Sequence, residues 1–359
     1  MREENGAPVG PRRRQMSGGF APRGAPPRRP TMIDVANEAR VSQTTVSLVL
    51  NHADGARLSA ETRERVIKAA ARLGYRPVSR GGPPAAASAS SIGFVCDELS
   101  TDPWTAIGLD GVREKAWEQG LTLTVMATRG DADMEAAALA QLAAQPLVGL
   151  IYATINTRLT DPPAAPPRLP LVLLNCHVAN GALTSVVPGE VAGGHAATDV
   201  LIRAGHRRIG YINGEASMEA SRHRLRGYRQ ALATADLPFD ADLVCEGNWQ
   251  PLSGYEATRA LMALASPPTA IFCANDMMAV GCYEALREMG LRIPDDVAVM
   301  GYDDREIAQH LHPPLSTVLL PHFEMGSIAA ELLLDIAAGS VTRPRQIKVE
   351  CPIVRRRSA

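Results

Sequence analysis

Aromatic side chains are scarce in this 359-residue chain, at 4% of positions, so a tryptophan in any pocket carries unusual weight. The six cysteines (96, 176, 245, 273, 282, 351) contain no C-x-x-C pair and no histidine spacing suited to zinc. They read as small core residues, in runs such as Ile271-Phe272-Cys273-Ala274, and a reducing compartment fits. No run of about 18 apolar residues exists, so no membrane span is expected. The Arg-, Pro- and Gly-rich start lacks the apolar core of about 7–15 residues that marks a secretion signal, which predicts a cytoplasmic protein. Catalytic signatures are absent too: no G-x-S-x-G, Walker or dinucleotide glycine pattern follows a strand. His177, His195, His206 and His310 belong to no partnered motif. Neither catalytic residues, a cofactor nor a metal is expected.

What is present is a charge asymmetry. Residues 1–30 carry +5 and residues 31–80 carry +3, which leaves −9 for the rest of a chain whose total is −1. A basic head on an acidic body suits a polyanionic partner. Residues 1–30 read as a disordered basic tail, 31–77 as a small helical domain and 78–91 as a Gly/Pro/Ala/Ser linker. From position 92 to the end, short apolar runs alternate with helical segments. Strands are expected at Ile92–Cys96, Leu121–Ala127, Val148–Ala153, Leu171–Leu174, Arg208–Ile212, Ala270–Cys273 and Val297–Tyr302. This is the signature of buried parallel sheets in a doubly wound α/β fold, and its length calls for two lobes.

In the head, Thr31-Met-Ile-Asp34 is a variant capping box opening a helix through Ala39. Arg40-Val41 is the turn, Ser42 can cap a second helix over Gln43–Leu50, Asn51 can stop it, and a third helix follows Ser59 and ends by Gly74. That is a helix-turn-helix unit. Gln43, Thr44, Ser47 and Leu48 fall on the face that meets base edges, where Gln suits adenine and Thr the thymine methyl. Thr45, Asn51 and His52 are placed for phosphates, and Thr31, Ser42 and Tyr75 complete the expected DNA-binding set.

Asp34-Val35-Ala36, Val41 to Asn51, Ser59-Ala-Glu-Thr62-Arg63 and Leu73-Gly74-Tyr75-Arg76-Pro77 closely resemble the headpiece of the lac repressor (LacI/GalR) family. The resemblance implies base-reading roles for Gln43 and Thr44, a symmetric homodimer on a palindromic double-stranded operator, and a second domain like the periplasmic sugar-binding proteins. Three positions depart from the pattern. Arg40 stands where the family usually has Gly, so a left-handed backbone there would cost about 1 kcal/mol. Leu48 stands where a base-reading Arg is common. Val78-Ser-Arg-Gly-Gly-Pro-Pro84 replaces the hinge helix with residues that oppose one, which predicts little DNA kinking.

Ligands of such folds sit beyond the carboxyl ends of strands, between lobes. Asp97, Trp104, Arg222, Arg224, Trp249, Asn275, Asp276, Asp303 and Asp304 all follow strand runs or open helices. Asp, Asn and Arg suit vicinal hydroxyls, and an indole suits the apolar side of a sugar ring. Asp276 reads as a helix N-cap, Asp304 as a turn residue, and Arg222 and Arg226 as solvated charges. The family motifs favour Arg224, Trp249, Asn275 and Asp303. His322 or Phe323 closes the pocket from the crossover segment, with Phe323 taken as the contact, whereas Glu190 ranks low. The family topology also implies three lobe crossings, near Pro188-Gly189, Ser316–Val318 and Thr342. Lobe 1 would be about 92–188 and 319–342, and lobe 2 about 189–317 and 343–355. Together these readings predict a repressor controlled by a mono- or disaccharide. A secreted binding protein, a sugar-handling enzyme and a DNA binder without effector control are the alternatives, and a purine is the rival ligand.

Overall fold

The structure is a computed structural model that describes residues 32–41, 45, 46, 49, 60–73, 91–161, 163–166 and 169–359. These fall into two units, one on each side of residues 79 and 80.

In the first unit, α1 (Met32–Ala39) and α2 (Ala60–Leu73) flank residues 45, 46 and 49, which are also helical. Val35, Ala36, Ala39, Val46, Val49, Val66, Ala69 and Ala70 are all buried and form its core. The end of α1 follows from backbone chemistry. Arg40 N–H donates to Asn37 O at 3.3 Å and Val41 N–H to Ala36 O at 3.1 Å, with Arg40 at φ +54°. Those are the paired bonds of a Schellman stop, whose left-handed position is usually glycine. Arginine holds the conformation the sequence flagged as costly for it. Thr45 is half-buried. Thr31, Ser42, Gln43, Thr44, Ser47, Leu48, Asn51, His52, Tyr75 and linker residues 78–90 lie outside the described residues.

The second unit holds two parallel sheets. The first lobe has six strands in the order β11-β5-β4-β3-β1-β2. These are β1 (Ser91–Cys96), β2 (Thr122–Ala127), β3 (Leu147–Leu159), β4 (Leu171–His177), β5 (Thr184–Pro188) and β11 (Gln346–Val349). Helix α3 (Trp104–Glu118) packs on it with α9 (His322–Ala337), and α4 (Ala132–Ala143) packs near β1. The closeness of α3 and α9 has a local cause: a Cβ at Gly111 or Gly326 would strike the partner helix backbone.

The second lobe has four strands in the order β7-β6-β8-β9, namely β7 (Val244–Glu246), β6 (Ile209–Asn213), β8 (Ala270–Cys273) and β9 (Ala298–Met300). Helices α5 (Glu190–Arg203) and α6 (Glu219–Thr234) form one pair on it, and α7 (Pro251–Met262) and α8 (Asp276–Glu288) another. Its core concentrates the few aromatics. Tyr211 stacks on Tyr228 at 5.1 Å and lies 4.9 Å from Phe272, and the Tyr228 hydroxyl donates to Ile209 O at 2.8 Å. Buried hydroxyls satisfied in this way add packing without a desolvation penalty. A short antiparallel pair, β10 (Thr317–Val318) with β12 (Ile353–Val354), completes the unit.

Two expectations are corrected. Residues 346–349 were assigned to lobe 2, but β11 pairs in parallel with β5 at the edge of the lobe 1 sheet. The third crossing therefore lies at 350–352 rather than near Thr342. Ser91 also belongs to β1 rather than to the linker. Five of the six cysteines are buried and Cys245 is half-buried. Burial pushes the thiols of Cys96, Cys176 and Cys351 up to about 12, which suits core residues.

Candidate functional site

Strand ends and helix starts of both lobes supply the cleft residues. Arg224, in the second turn of α6, is 3% exposed and is the centre of the arrangement. Its Nε donates to Glu190 Oε2 at 2.7 Å and its Nη2 to Glu190 Oε1 at 2.8 Å. Nη1 donates to Ala274 O at 2.5 Å and reaches Asp303 Oδ1 at 3.4 Å. The guanidinium also lies 3.7 Å from the Tyr302 ring centroid and 5.7 Å from that of Trp249. Burial works against its charge, but Glu190 and then Asp303 outweigh that and hold Arg224 well above the ordinary arginine value. Small residues make this geometry possible. A Cβ on Gly194 would meet the Arg224 backbone, and one on Gly227 would meet Val191 O and His195 N. Only glycines there let α5 and α6 approach closely enough to set Glu190 against Arg224.

Asp303 follows β9 at φ +108°, a backbone region unusual for any side chain, and its N–H donates to Val318 O at 2.7 Å. Burial pushes its carboxyl up to about 7, against the pull of Arg224 and Arg305. Arg305 extends the network toward lobe 1. Its Nε lies 3.8 Å from Asp303 Oδ2, its Nη2 donates to Asp102 Oδ1 at 2.5 Å, and its Cζ sits 4.8 Å from the Trp104 ring centroid. Trp104 stacks on His322 with centroids 5.1 Å apart. Burial, followed by the nearby Arg224 charge, pushes His322 down to about 3, so its imidazole is neutral.

Trp249 sits at φ +66° and its Nε1 donates to Met218 Sδ at 2.9 Å. Asn275 is the N-cap of α8: its Oδ1 accepts from Met278 N–H at 2.8 Å while its Nδ2 donates to Trp249 O at 3.1 Å. The cap expected at Asp276 is thus one residue earlier. Asp276 is fully buried, and it accepts from Thr317 Oγ1 at 2.6 Å and from Arg305 N–H at 2.7 Å. Burial and then Asp303 raise its carboxyl well above the usual range. Asp304 is a left-handed turn residue paired with Arg356 at 2.7 Å, and Arg222 and Arg226 are exposed.

The structure therefore brings together Arg224, Trp249, Asn275 and Asp303, and through Arg305 it adds Trp104. It does not bring in Asp97, which accepts from Ile155 N–H at 2.9 Å and Arg158 Nη1 at 2.6 Å within lobe 1. Of the two crossover residues named, His322, one position before Phe323, is the one whose ring meets Trp104. Glu190 was ranked low and is the main partner of Arg224. Nothing local in the sequence marks it except the Gly193-Gly194 pair that follows.

Beside the Arg305–Trp104 contact, Asp102 with Arg305 and His177 with Glu219 tie the lobes together. His177 Nε2 lies 3.0 Å and 3.1 Å from the two Glu219 carboxylate oxygens. The latter pair borders a cavity of about 930 Å³ lined by Ser185, Pro188, Glu190, His195, His223, Lys348 and Glu350 among others. Apart from Glu190, it shares no residue with the Arg224 constellation.

Residues 31–78 match the lacI family of bacterial regulatory proteins and residues 198–359 match a periplasmic binding protein-like domain. A ribose operon repressor from Haemophilus influenzae is 34% identical over 306 residues, covering 85% of this chain and 91% of that protein. The HTH-type transcriptional repressor PurR of Aliivibrio salmonicida is 30% identical over 331 residues, covering 91% and 98%. A structure of the transcriptional regulator CelR in complex with cellobiose superposes with TM-score 0.64 at 33% identity, covering 92% of this chain and all of that one. The lac repressor dimer bound to operator and the anti-inducer ONPF gives TM-score 0.64 at 28% identity, covering 92% and 99%.

The chain belongs to the lacI family of bacterial regulatory proteins. It is a DNA-binding transcriptional regulator and not an enzyme. Among the described residues, no helix is long and apolar enough to cross a membrane.

Proposed function

We propose that the protein is a cytoplasmic, homodimeric repressor of a carbohydrate-utilisation operon. It reads a palindromic operator through residues 31–77 and is controlled by a mono- or disaccharide bound between the lobes of residues 92–359. The observation that carries the effector reading is the constellation of Arg224, Asp303, Trp249 and the Trp104–His322 stack between the lobes. Carboxylate and guanidinium groups beside indole faces are what a sugar ring needs, with polar groups for its hydroxyls and flat apolar surfaces for its C–H faces. The ribose operon repressor and the cellobiose complex of CelR, as named, point the same way. Ligand that binds one lobe arrangement better than another shifts the population and with it the spacing of the two DNA heads.

Thermal-shift screening of the full chain against mono- and disaccharides, with nucleosides as controls, tests this. A saccharide that raises the melting temperature with dose, and no longer does so in Arg224→Ala and Asp303→Ala, supports the reading. A nucleobase that shifts the melt where no saccharide does removes the sugar and leaves the DNA-binding function standing.

A further inference from the structure

Arginines in ligand clefts are natural anchors for carboxylates and phosphates, because the guanidinium fork matches two oxygens at once. In this protein that fork is already filled. Glu190, 3% exposed, occupies one edge of Arg224 with both its oxygens. Ala274 O and Asp303 take both N–H groups of Nη1, so four of the five donors are directed at protein oxygens. Arg305 gives Nη2 to Asp102, while its Nε, without a hydrogen-bond partner, lies 3.8 Å from the Asp303 carboxylate. Buried without a hydrogen-bond partner are the uncharged Thr105 Oγ1 at the start of α3, Ser221 Oγ at the start of α6, His322 Nε2 at the start of α9 and the Tyr302 hydroxyl, together with Asp304 Oδ1, which has its ion pair with Arg356, and Arg305 Nε. Buried polar atoms left in that state call for a partner.

We infer that Glu190 is a specificity-determining residue that reserves the cleft for uncharged polyhydroxyl effectors and turns away anionic ones such as sugar acids and sugar phosphates. This rests on the cleft being the effector site. An anion that reached Arg224 would have to displace Glu190, stranding a buried carboxylate without its partner, and would approach Asp303 and Asp102 as well. A neutral sugar displaces no charged partner, since one Arg224 N–H and the Asp303 carboxyl remain to meet its hydroxyls. Its hydroxyls pair with the Thr105 and Ser221 oxygens and with an imidazole whose burial keeps it uncharged.

The test compares matched probes by calorimetry on the full-length protein: ribose with ribose 5-phosphate, and glucose with glucuronate and glucose 6-phosphate, with cellobiose as a further neutral ligand. The wild type is expected to bind a neutral member at least roughly tenfold more tightly than its anionic counterpart. In Glu190→Gln, which keeps the shape and removes the charge, that ratio should fall by at least roughly tenfold. A wild type that binds an acid or phosphate as well as the parent sugar overturns the inference without any variant. So does an unchanged ratio in Glu190→Gln alongside normal sugar binding, and in both cases the sugar reading survives. If no saccharide, charged or neutral, binds either protein, the effector reading itself falls and takes this inference with it.

Discussion

Asn275 holds the backbone of Trp249 in place: its amide donates to the Trp249 carbonyl at 3.1 Å while its own oxygen caps α8. One side chain thus closes a helix and fixes the left-handed residue that carries the indole. The two roles separate by mutation. Asn275→Asp keeps the capping oxygen and loses the amide donor, so it should fold with little loss yet bind effector less well. Asn275→Ala should lose both, with about 1 kcal/mol of stability gone with the cap. Calorimetry and urea melts of the two variants read these effects, and normal effector affinity in Asn275→Asp would mean the tie does not position Trp249.

Gly214 offers an independent handle on the same indole. A methyl group there would run into the Trp249 ring. Gly214→Ala should displace the ring and weaken effector binding by at least roughly tenfold, about 1.4 kcal/mol. Operator binding without effector, followed by gel shift, should stay near the wild-type level.

Arg40 holds α1 closed from a backbone conformation that glycine adopts freely. Arg40→Gly is expected to stabilise the helical head by up to about 1 kcal/mol. Denaturant unfolding followed by helicity measures it, and an unchanged or lowered midpoint would show that the arginine side chain compensates for its backbone.

The Asp303 carboxyl gives stability a defined pH dependence. Its ordinary value near 3.8 is raised in the fold to about 7, so the native state holds a proton that the unfolded chain releases. The stability from this group is fully present below about 3.8 and is lost as pH rises to about 7. Melting temperatures of wild type and Asp303→Asn between pH 4 and 8 should therefore diverge up to about pH 7 and then run parallel. A constant difference would show the carboxyl ionised throughout.

The alternation of apolar runs with helical segments was legible because buried parallel strands are short and continuous. Ala270–Cys273 lies where its residues predict, and α8 begins within a residue of its expected start. The edge strand β11 was not legible in its place. Its pattern is half-exposed, and its lobe is decided by a partner, β5, more than 150 residues away, which no local window contains. In the cleft, motif residues such as Arg224 and Asp303 could be named from their surroundings. Which of His322 and Phe323 meets Trp104 was not legible, because neighbouring positions on a helix differ by about 100° in direction, and it is His322 that faces the indole. Glu190 was hidden because its importance comes from the close approach of two helices, which depends on Gly194 and Gly227 together.

The three crossing segments are not separate threads. Gly189 N–H donates to Val349 O at 2.7 Å and Leu319 N–H to Pro352 O at 2.8 Å, so the third crossing is bonded to each of the other two. Bonded in this way, the three crossings form one strap along which the two lobes are joined. Asp102 with Arg305 and His177 with Glu219 bridge the same two lobes outside that strap. The cavity lined from both lobes reaches the lacing itself at Gly189 and Val349.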